Sequence, residues 1–148
     1  TSLRYCFVGS GPYEKDLMQL KKTYQVEVFK NLPQIGVAEK LSESKFFIFP
    51  TRYEPFGLVA TEAIYCGVPI VVSDVGGMKE QLIKGKNGFL IDNLTIDCVV
   101  KAIVDANMIN SDDYKELTVS TLATNSEYSL ESVCDYLINH AYVENIDE

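Results

Sequence analysis

Two acidic residues, Glu54 and Glu62, stand on either side of a predicted helix start in the middle of the chain. Glu54 lies in a turn that follows an apolar strand, and Glu62 lies within the helix that follows the turn. Ligands of open α/β sheets bind beyond the carboxyl ends of the strands, where this turn lies. The first helical turn also offers free amides, which we expect to point outward and to bind a diphosphate. These amides belong to Gly57, Leu58 and Val59.

The spacing of the two carboxylates fits a nucleotide ligand. Glu62 stands five residues after Gly57, which is roughly 7 to 8 Å along a helix axis. A ribose lies about that far from the distal phosphate of a nucleoside diphosphate, and a carboxylate can accept hydrogen bonds from both ribose hydroxyls. Glu54, in the turn, can reach the hydroxyls of a sugar on that phosphate. The residue types and their spacing therefore predict a nucleotide-sugar site.

The elements that must position this site alternate between strand and helix. Apolar runs bounded by turn residues predict strands, and apolar residues at helical spacing predict helices. The predicted strands are 3–8, 26–29, 46–49, 69–73 and 89–91, and the helices between them are 13–23, 35–44, 57–66 and 78–84. Three further helices are expected at 95–107, 112–123 and 129–141, with Ser129 as the N-cap of the last. This order predicts one α/β domain over residues 1–148: a three-layer, Rossmann-like parallel sheet with helices on both faces and a helical C-terminal part.

Composition excludes several classes of protein. The chain has 148 residues, of which 47% are hydrophobic and 23% charged, as in soluble globular domains. Its net charge of −8 argues against a nucleic-acid partner. It has no apolar run of membrane-spanning length and no signal peptide at its start, which predicts a cytoplasmic location. The four scattered cysteines predict reduced core thiols, and no spacing suggests a metal site.

Glu54 and Glu62, separated by seven residues, reproduce the E-x7-E motif of the family 4 glycosyltransferases, and the chain resembles that family. Members have the two-domain GT-B fold. The resemblance extends from the turn at 8–12 to the closing helix, and further motifs occur in the family's order. They are Pro50-Thr51, Phe56-Gly57, Glu62-Ala63, Gly67-x-Pro69 and Gly76-Gly77.

The resemblance implies a role for each site residue. Glu54 would contact the donor sugar as the catalytic-site carboxylate, and Glu62 would bind the ribose. The diphosphate would be bound by the amides of Phe56, Gly57, Leu58 and Val59. Asn31 and Leu32 resemble the edge that contacts the base, although Lys30 replaces the glycine usual there.

The family transfers a sugar from a nucleoside diphosphate with retention, usually by a front-face route in which the leaving phosphate helps to deprotonate the acceptor. Neither a cofactor nor a metal ion is expected, because the nucleotide sugar is a substrate. The resemblance places the chain in polysaccharide, glycolipid or glycoprotein assembly. The base, the sugar and the acceptor stay open.

A complete enzyme of this type has an N-terminal acceptor domain and one more strand-helix unit that carries phosphate-binding Arg and Lys residues. We expect the chain to be the donor-binding part of such an enzyme, inactive by itself, with any peripheral membrane contact made through the absent domain. The absent strand would lie between the strands at 3–8 and 46–49. Those strands either pair directly or leave a gap that a second copy fills, so a homo-oligomer stays open.

The same residues also permit other interpretations. Glu54 and Glu62 could be a solvated turn residue and a helix-start carboxylate. Binding without chemistry, or a sugar-nucleotide epimerase, remains the alternative function. Gly9-Ser10-Gly11 is a weak sign of a nicotinamide dinucleotide site, since Glu14 stands where a third glycine is needed. Arg52 could contact phosphate or solvent, and Lys79, Lys84 and Lys86 could contact an acceptor or membrane but are better explained as helix-end charges.

Overall fold

The computed structural model describes residues 3–124, which fall into two compact units that divide between Glu43 and Ser44. Several features of the sequence lie outside the described residues: the helix expected at 129–141, the acidic segment 144–148, Cys134 and His140.

The first unit is built from two strand-helix repeats. They are β1 (Arg4–Val8), α1 (Glu14–Leu20), β2 (Gln25–Phe29) and α2 (Gln34–Ser42). β1 and β2 are parallel and in register along their whole length, from the pair Arg4 and Gln25 to the pair Val8 and Phe29. The amide of Gly9 donates to the carbonyl of Phe29 at 2.9 Å and extends this ladder by one bond.

The second unit contains the sheet that positions the candidate site. Its elements are β3 (Phe47–Phe49), α3 (Leu58–Tyr65), β4 (Ile70–Ser73), α4 (Met78–Gln81), β5 (Gly88–Ile91), α5 (Ile96–Asn107) and α6 (Ser111–Thr124). The strands are parallel in the order β3-β4-β5. Because all three run the same way, their carboxyl ends meet at one edge of the sheet.

β4 is buried on both faces. Its residues Ile70, Val71 and Val72 are fully buried. Val71 packs in a cluster with Ile91 of β5 and with Ala102 and Ala106 of α5. Successive side chains of a strand point to opposite faces, so Ile70 and Val72 face the other side, where α3 and α4 also contact β4. Helices therefore cover both faces of this sheet, and the expected α/β, Rossmann-like fold with a helical C-terminal part is confirmed.

α3 ends where the sequence predicts it. Gly67 has a φ of 71°, a left-handed conformation that glycine adopts without strain. Its amide donates to Ile64 at 2.9 Å, and the amide of Val68 donates to Ala63 at 2.9 Å. These two bonds form a Schellman motif, which satisfies carbonyls at the end of the helix.

α4 is shorter than predicted. The helix expected over 78–84 ends at Gln81, and Leu82 has the extended dihedrals φ −85° and ψ 110°. The amide of Ile83 donates to the side chain of Asn87 at 2.8 Å instead of continuing the helix. A buried asparagine thus competes with the helical hydrogen bonds.

Two predictions about burial are wrong. The unbroken apolar run at 46–49 predicts a strand buried on both faces, but β3 is only half-buried and, among the described strands, pairs with β4 alone. Cys6 was expected in the core, but it is exposed on β1. Cys6, Cys66 and Cys98 are free thiols, as expected.

The described strands form two separate sheets, β1-β2 and β3-β4-β5. Within the described residues β1 pairs only with β2, so the direct pairing of the first and third strands left open above is not observed. Over residues 3–124, no helix has the length and apolar character needed to cross a bilayer.

Candidate functional site

The candidate site is the turn that leads from β3 into α3. The carboxylate of Glu54 lies at the start of α3, where its Oε1 accepts hydrogen bonds from the amide of Gly57 at 3.0 Å and from the amide of Phe56 at 3.4 Å. A helix N-terminus carries a partial positive charge and unpaired amides. In this structure Glu54 is therefore the anion that binds there.

One expectation about the amides is wrong. Gly57 was predicted to have a free amide, but this amide is bound to Glu54, because the turn folds the carboxylate back onto the helix start. The amides of Leu58 and Val59 have no acceptor within the described residues. Of the three predicted amides, two have no acceptor among residues 3–124 and the third donates to the Glu54 carboxylate.

Gly76 and Gly77, which precede α4, lie close to the backbone of this turn. A Cβ atom on Gly76 would overlap the carbonyl oxygen of Glu54, and one on Gly77 would overlap the carbonyl oxygen of Phe56. Gly76 also has a φ of 50°. The amide of Gly77 donates to the carbonyl of Pro55 at 3.2 Å. The Gly76-Gly77 pair therefore lets α4 approach the backbone of the turn and hold it.

The entry to the turn is fixed by two hydroxyl groups. The Ser73 hydroxyl, at the end of β4, donates to the carbonyl of Thr51 at 2.5 Å. The hydroxyl of Thr51 donates to the carbonyl of Tyr53 at 3.0 Å. The carboxyl end of β4 thus anchors the segment that carries Glu54.

Glu62 lies on α3, half-buried, about five residues beyond the helix start. No hydrogen bond or ion pair of its carboxylate is found within residues 3–124. The neighbouring Thr61 instead turns its hydroxyl toward the side chain of Gln81 on α4, at 3.1 Å. Glu62 is therefore available to a ligand, whereas Glu54 is already engaged.

Gln81 is the residue at this site that sequence reasoning missed. Its side chain is 5% exposed, and its Nε2 donates to the carbonyl of Phe56 at 2.5 Å and to that of Gly57 at 3.3 Å. A glutamine at the end of a predicted helix gives no sign that it faces inward. Only its contact with the turn identifies it.

The residues expected at the base-contacting edge lie in the first unit. Asn31 follows β2 and has a φ of 51°, a left-handed conformation that asparagine tolerates better than most residues. Leu32 is half-buried and lies beside Gly36 in the first turn of α2. Lys30 forms an ion pair with Glu14 at 2.6 Å.

The candidate cationic ligands are all exposed: Arg52, Lys79, Lys84 and Lys86. Arg52 lines a cavity of about 230 Å³ together with Pro50, Leu94 and Val99, next to the carboxyl end of β3. Lys79 forms an ion pair with Asp74 at 3.4 Å. In the part of the chain that the structure describes, no group of three acidic, histidine or cysteine side chains is placed to hold a metal ion.

Curated relatives resemble the chain over this same region. It is 34% identical over 111 residues to D-inositol 3-phosphate glycosyltransferase 1 of Catenulispora acidiphila, covering 67% of this chain and 27% of that protein. It is 31% identical over 102 residues to sulfoquinovosyl transferase SQD2 of Arabidopsis thaliana, covering 66% and 20%. The chain therefore spans about a quarter or less of the length of these relatives.

Solved structures have the same fold at lower sequence identity. HepE of Anabaena, solved in complex with UDP and glucose, superposes with a TM-score of 0.74 at 18% identity and covers 95% of this chain and 40% of that one. Sucrose-phosphate synthase of Thermosynechococcus elongatus gives a TM-score of 0.74 at 23% identity, covering 94% and 37%. The family model for glycosyl transferases group 1 matches residues 1–116. This match covers most of the chain, and the structural neighbours have a GT-B-type fold. The chain therefore belongs to the group 1 glycosyl transferases.

Proposed function

We propose that the chain is the donor-binding part of a retaining hexosyltransferase, and that it binds a nucleoside-diphosphate sugar at the α3 start. One observation carries the proposal: along the chain, the amides of Leu58 and Val59, which have no acceptor among the described residues, stand between two glutamates. The carboxylate of Glu54 is bound to the adjacent amides, and that of Glu62 has no partner among residues 3–124. The relatives named above are transferases, and HepE was solved with UDP and glucose.

The proposed roles follow the chemistry of each group. The amides from Phe56 to Val59 bind the diphosphate, whose negative charge grows as the sugar departs, so preorganised donors lower the barrier. Glu62 accepts hydrogen bonds from the ribose hydroxyls. Glu54 exchanges its contact with the amides for a contact with the donor sugar.

The proposal also covers the base, the type of reaction and the acceptor. Asn31 and Leu32 contact the base, and the reaction belongs to family 4 and retains the anomeric configuration. Neither a metal ion nor another cofactor is required. The acceptor belongs to polysaccharide, glycolipid or glycoprotein assembly, and the reaction takes place in the cytoplasm. The chain alone transfers little or no sugar.

Calorimetric titration of the chain with UDP-glucose, ADP-glucose and GDP-mannose tests donor binding. For the nucleotide sugar that binds, we compare the ribose form with its 2′-deoxyribose analogue. In the wild type the analogue should have a dissociation constant at least about tenfold higher, because it lacks one hydrogen bond to a charged group. In a Glu62→Ala variant the two ligands should bind equally. Glu39→Ala, which removes an exposed carboxylate from α2, is the control and should keep the difference.

Four results would contradict the proposal or one of its parts. If no nucleotide sugar binds at millimolar concentration, the donor site is wrong. If Glu62→Ala keeps the preference for the ribose ligand, the ribose contact lies elsewhere. Rapid sugar transfer by the purified chain would refute its expected inactivity, and binding without transfer by a longer form that contains the acceptor domain would favour the non-catalytic alternative.

A further inference from the structure

Three consecutive carbonyl groups of the site turn are held from one side by α4. The carbonyl of Pro55 accepts from the amide of Gly77 at 3.2 Å. The next two carbonyls, of Phe56 and Gly57, both accept from Nε2 of Gln81, at 2.5 and 3.3 Å. The peptide planes that begin at Pro55 and Phe56 are therefore held from the α4 side, whereas the Gly57 carbonyl also accepts from the amides of Ala60 and Thr61 in α3.

The direction of a carbonyl fixes the direction of the following amide. A trans peptide is planar, and its C=O and N–H groups point to opposite sides. Because the carbonyls of Pro55 and Phe56 point toward α4, the amides of Phe56 and Gly57 must point away from it. Both do so, since both donate to Oε1 of Glu54 on the far side of the turn.

The side chain of Gln81 has only one orientation that satisfies its neighbours. A carbonyl oxygen only accepts hydrogen bonds, so the NH2 group must face Phe56. Its oxygen then accepts a hydrogen bond from the Thr61 hydroxyl at 3.1 Å. Thr61 lies on α3, so Gln81 also fixes α4 relative to the helix whose start forms the site.

The backbone of Gln81 is fixed as well. Asn87 is fully buried, and its Nδ2 donates to the carbonyl of Gln81 at 2.7 Å. Its Oδ1 accepts from the amide of Ile83 at 2.8 Å. These bonds hold the end of α4, so the Gln81 side chain approaches the turn from a fixed base.

We propose that Gln81 is a positioning residue that keeps the amides of the turn directed at the bound anion. This inference rests on the proposed function and adds a residue that does not touch the ligand. Without the Gln81 side chain, the partly buried carbonyl of Phe56 loses the hydrogen bond that it accepts from Nε2. The peptide between Phe56 and Gly57 can then rotate, which turns an acceptor toward the anion and removes a donor.

The test begins without a ligand. In a ¹⁵N-labelled chain, the amide proton signals of Phe56 and Gly57 should lie downfield, as expected for amides bonded to a carboxylate. In Gln81→Met, which keeps the volume but removes all three side-chain hydrogen bonds, the Gly57 signal should move toward random-coil values. Gln81→Glu should behave in the same way, because a carboxylate accepts from Thr61 but cannot donate to Phe56.

The matched control is Thr121→Val. Thr121 is fully buried, and among residues 3–124 its hydroxyl bonds only to the carbonyl of Leu117 within α6. This variant should lose stability without moving the Gly57 signal. An unchanged Gly57 signal in a folded Gln81→Met variant would overturn the proposal, and so would an equal change in the control.

Titration with UDP then measures the effect on binding. The dissociation constant should rise by a factor of about 10 to 100 in Gln81→Met, since an oriented hydrogen bond to a charged group is lost. It should stay within about twofold in Thr121→Val. Equal affinity for UDP in Gln81→Met and wild type would also overturn the role. If neither UDP nor any nucleotide sugar binds the wild type, the proposed function fails, while the amide signals still decide whether Gln81 orients the turn.

Discussion

The carbonyl oxygen of Glu54 occupies the space that a Cβ atom of Gly76 would need. A Cβ atom on the neighbouring Gly77 would likewise overlap the carbonyl oxygen of Phe56, and the amide of Gly77 donates to the carbonyl of Pro55. The Gly-Gly pair is therefore required by contact with the site turn. A side chain at Gly76 or Gly77 should therefore lower the free energy of unfolding.

Gly76→Ala should lower the free energy of unfolding by about 2 to 5 kcal/mol, because it combines a left-handed φ with a clash against backbone. Gly85→Ala is the matched control, since Gly85 also has a positive φ of 77° but has open space around its Cβ position. It should cost only about 1 to 2 kcal/mol. Urea denaturation measures both values. Equal losses would mean that the contact with Glu54 contributes nothing.

Glu54→Gln should separate the two roles of the Glu54 carboxylate. Loss of its charge at the helix start should lower the free energy of unfolding by about 0.5 to 1 kcal/mol. UDP should bind as well as or better than to the wild type, because a competing negative charge has gone, whereas the extra affinity for UDP-glucose over UDP should shrink. Calorimetry on both ligands gives the ratio. If UDP binding weakens as much as UDP-glucose binding, Glu54 acts on the diphosphate.

Cys6 is exposed but should react slowly at neutral pH. Partial desolvation, followed by the nearby Glu27 carboxylate, raises the pKa of the Cys6 thiol. A raised pKa leaves less of the reactive thiolate at a given pH. Alkylation by iodoacetamide at pH 7 should therefore be slower than for an unstructured thiol and should accelerate as the pH rises.

Glu27→Gln should lower the pKa of Cys6 and speed its alkylation at pH 7. Peptide mass spectrometry separates Cys6 from the other cysteines. Glu116→Gln, on α6, is the control for a lost negative charge and should leave the rate unchanged. A faster rate in the wild type than in Glu27→Gln would contradict the assigned cause.

The sequence predicted the elements of the sheet within one or two residues wherever a strong signal marked their ends. The apolar run at 69–73 became β4, and Gly67 ended α3 with a left-handed φ. Signals of this kind act locally, so they can be recognised without the fold. The helix at 78–84 lacked such a signal. Its early end depends on Asn87, whose side chain accepts a hydrogen bond from the amide of Ile83 and is buried only in the folded sheet.

The candidate site was predicted in its residues but not in its contacts. Glu54, Gly57 and Glu62 could be chosen from type and spacing. That Glu54 folds back onto Gly57, and that Gln81 holds the carbonyls of the turn, depends on how α4 packs against α3. Likewise, the exposure of Cys6 depends on which elements cover the faces of β1. Such facts belong to tertiary structure, which spacing along the chain does not encode.

The turn is shaped by its main chain, and its large side chains take no part in holding it. Tyr53, Phe56 and Leu58 are all exposed, whereas the bonds that fix the loop join backbone atoms to Gly77, Gln81 and Ser73. Substitutions at Tyr53, Phe56 and Leu58 should therefore cost little folding free energy. An engineer who wished to alter ligand preference should randomise them first and leave the scaffold beneath untouched.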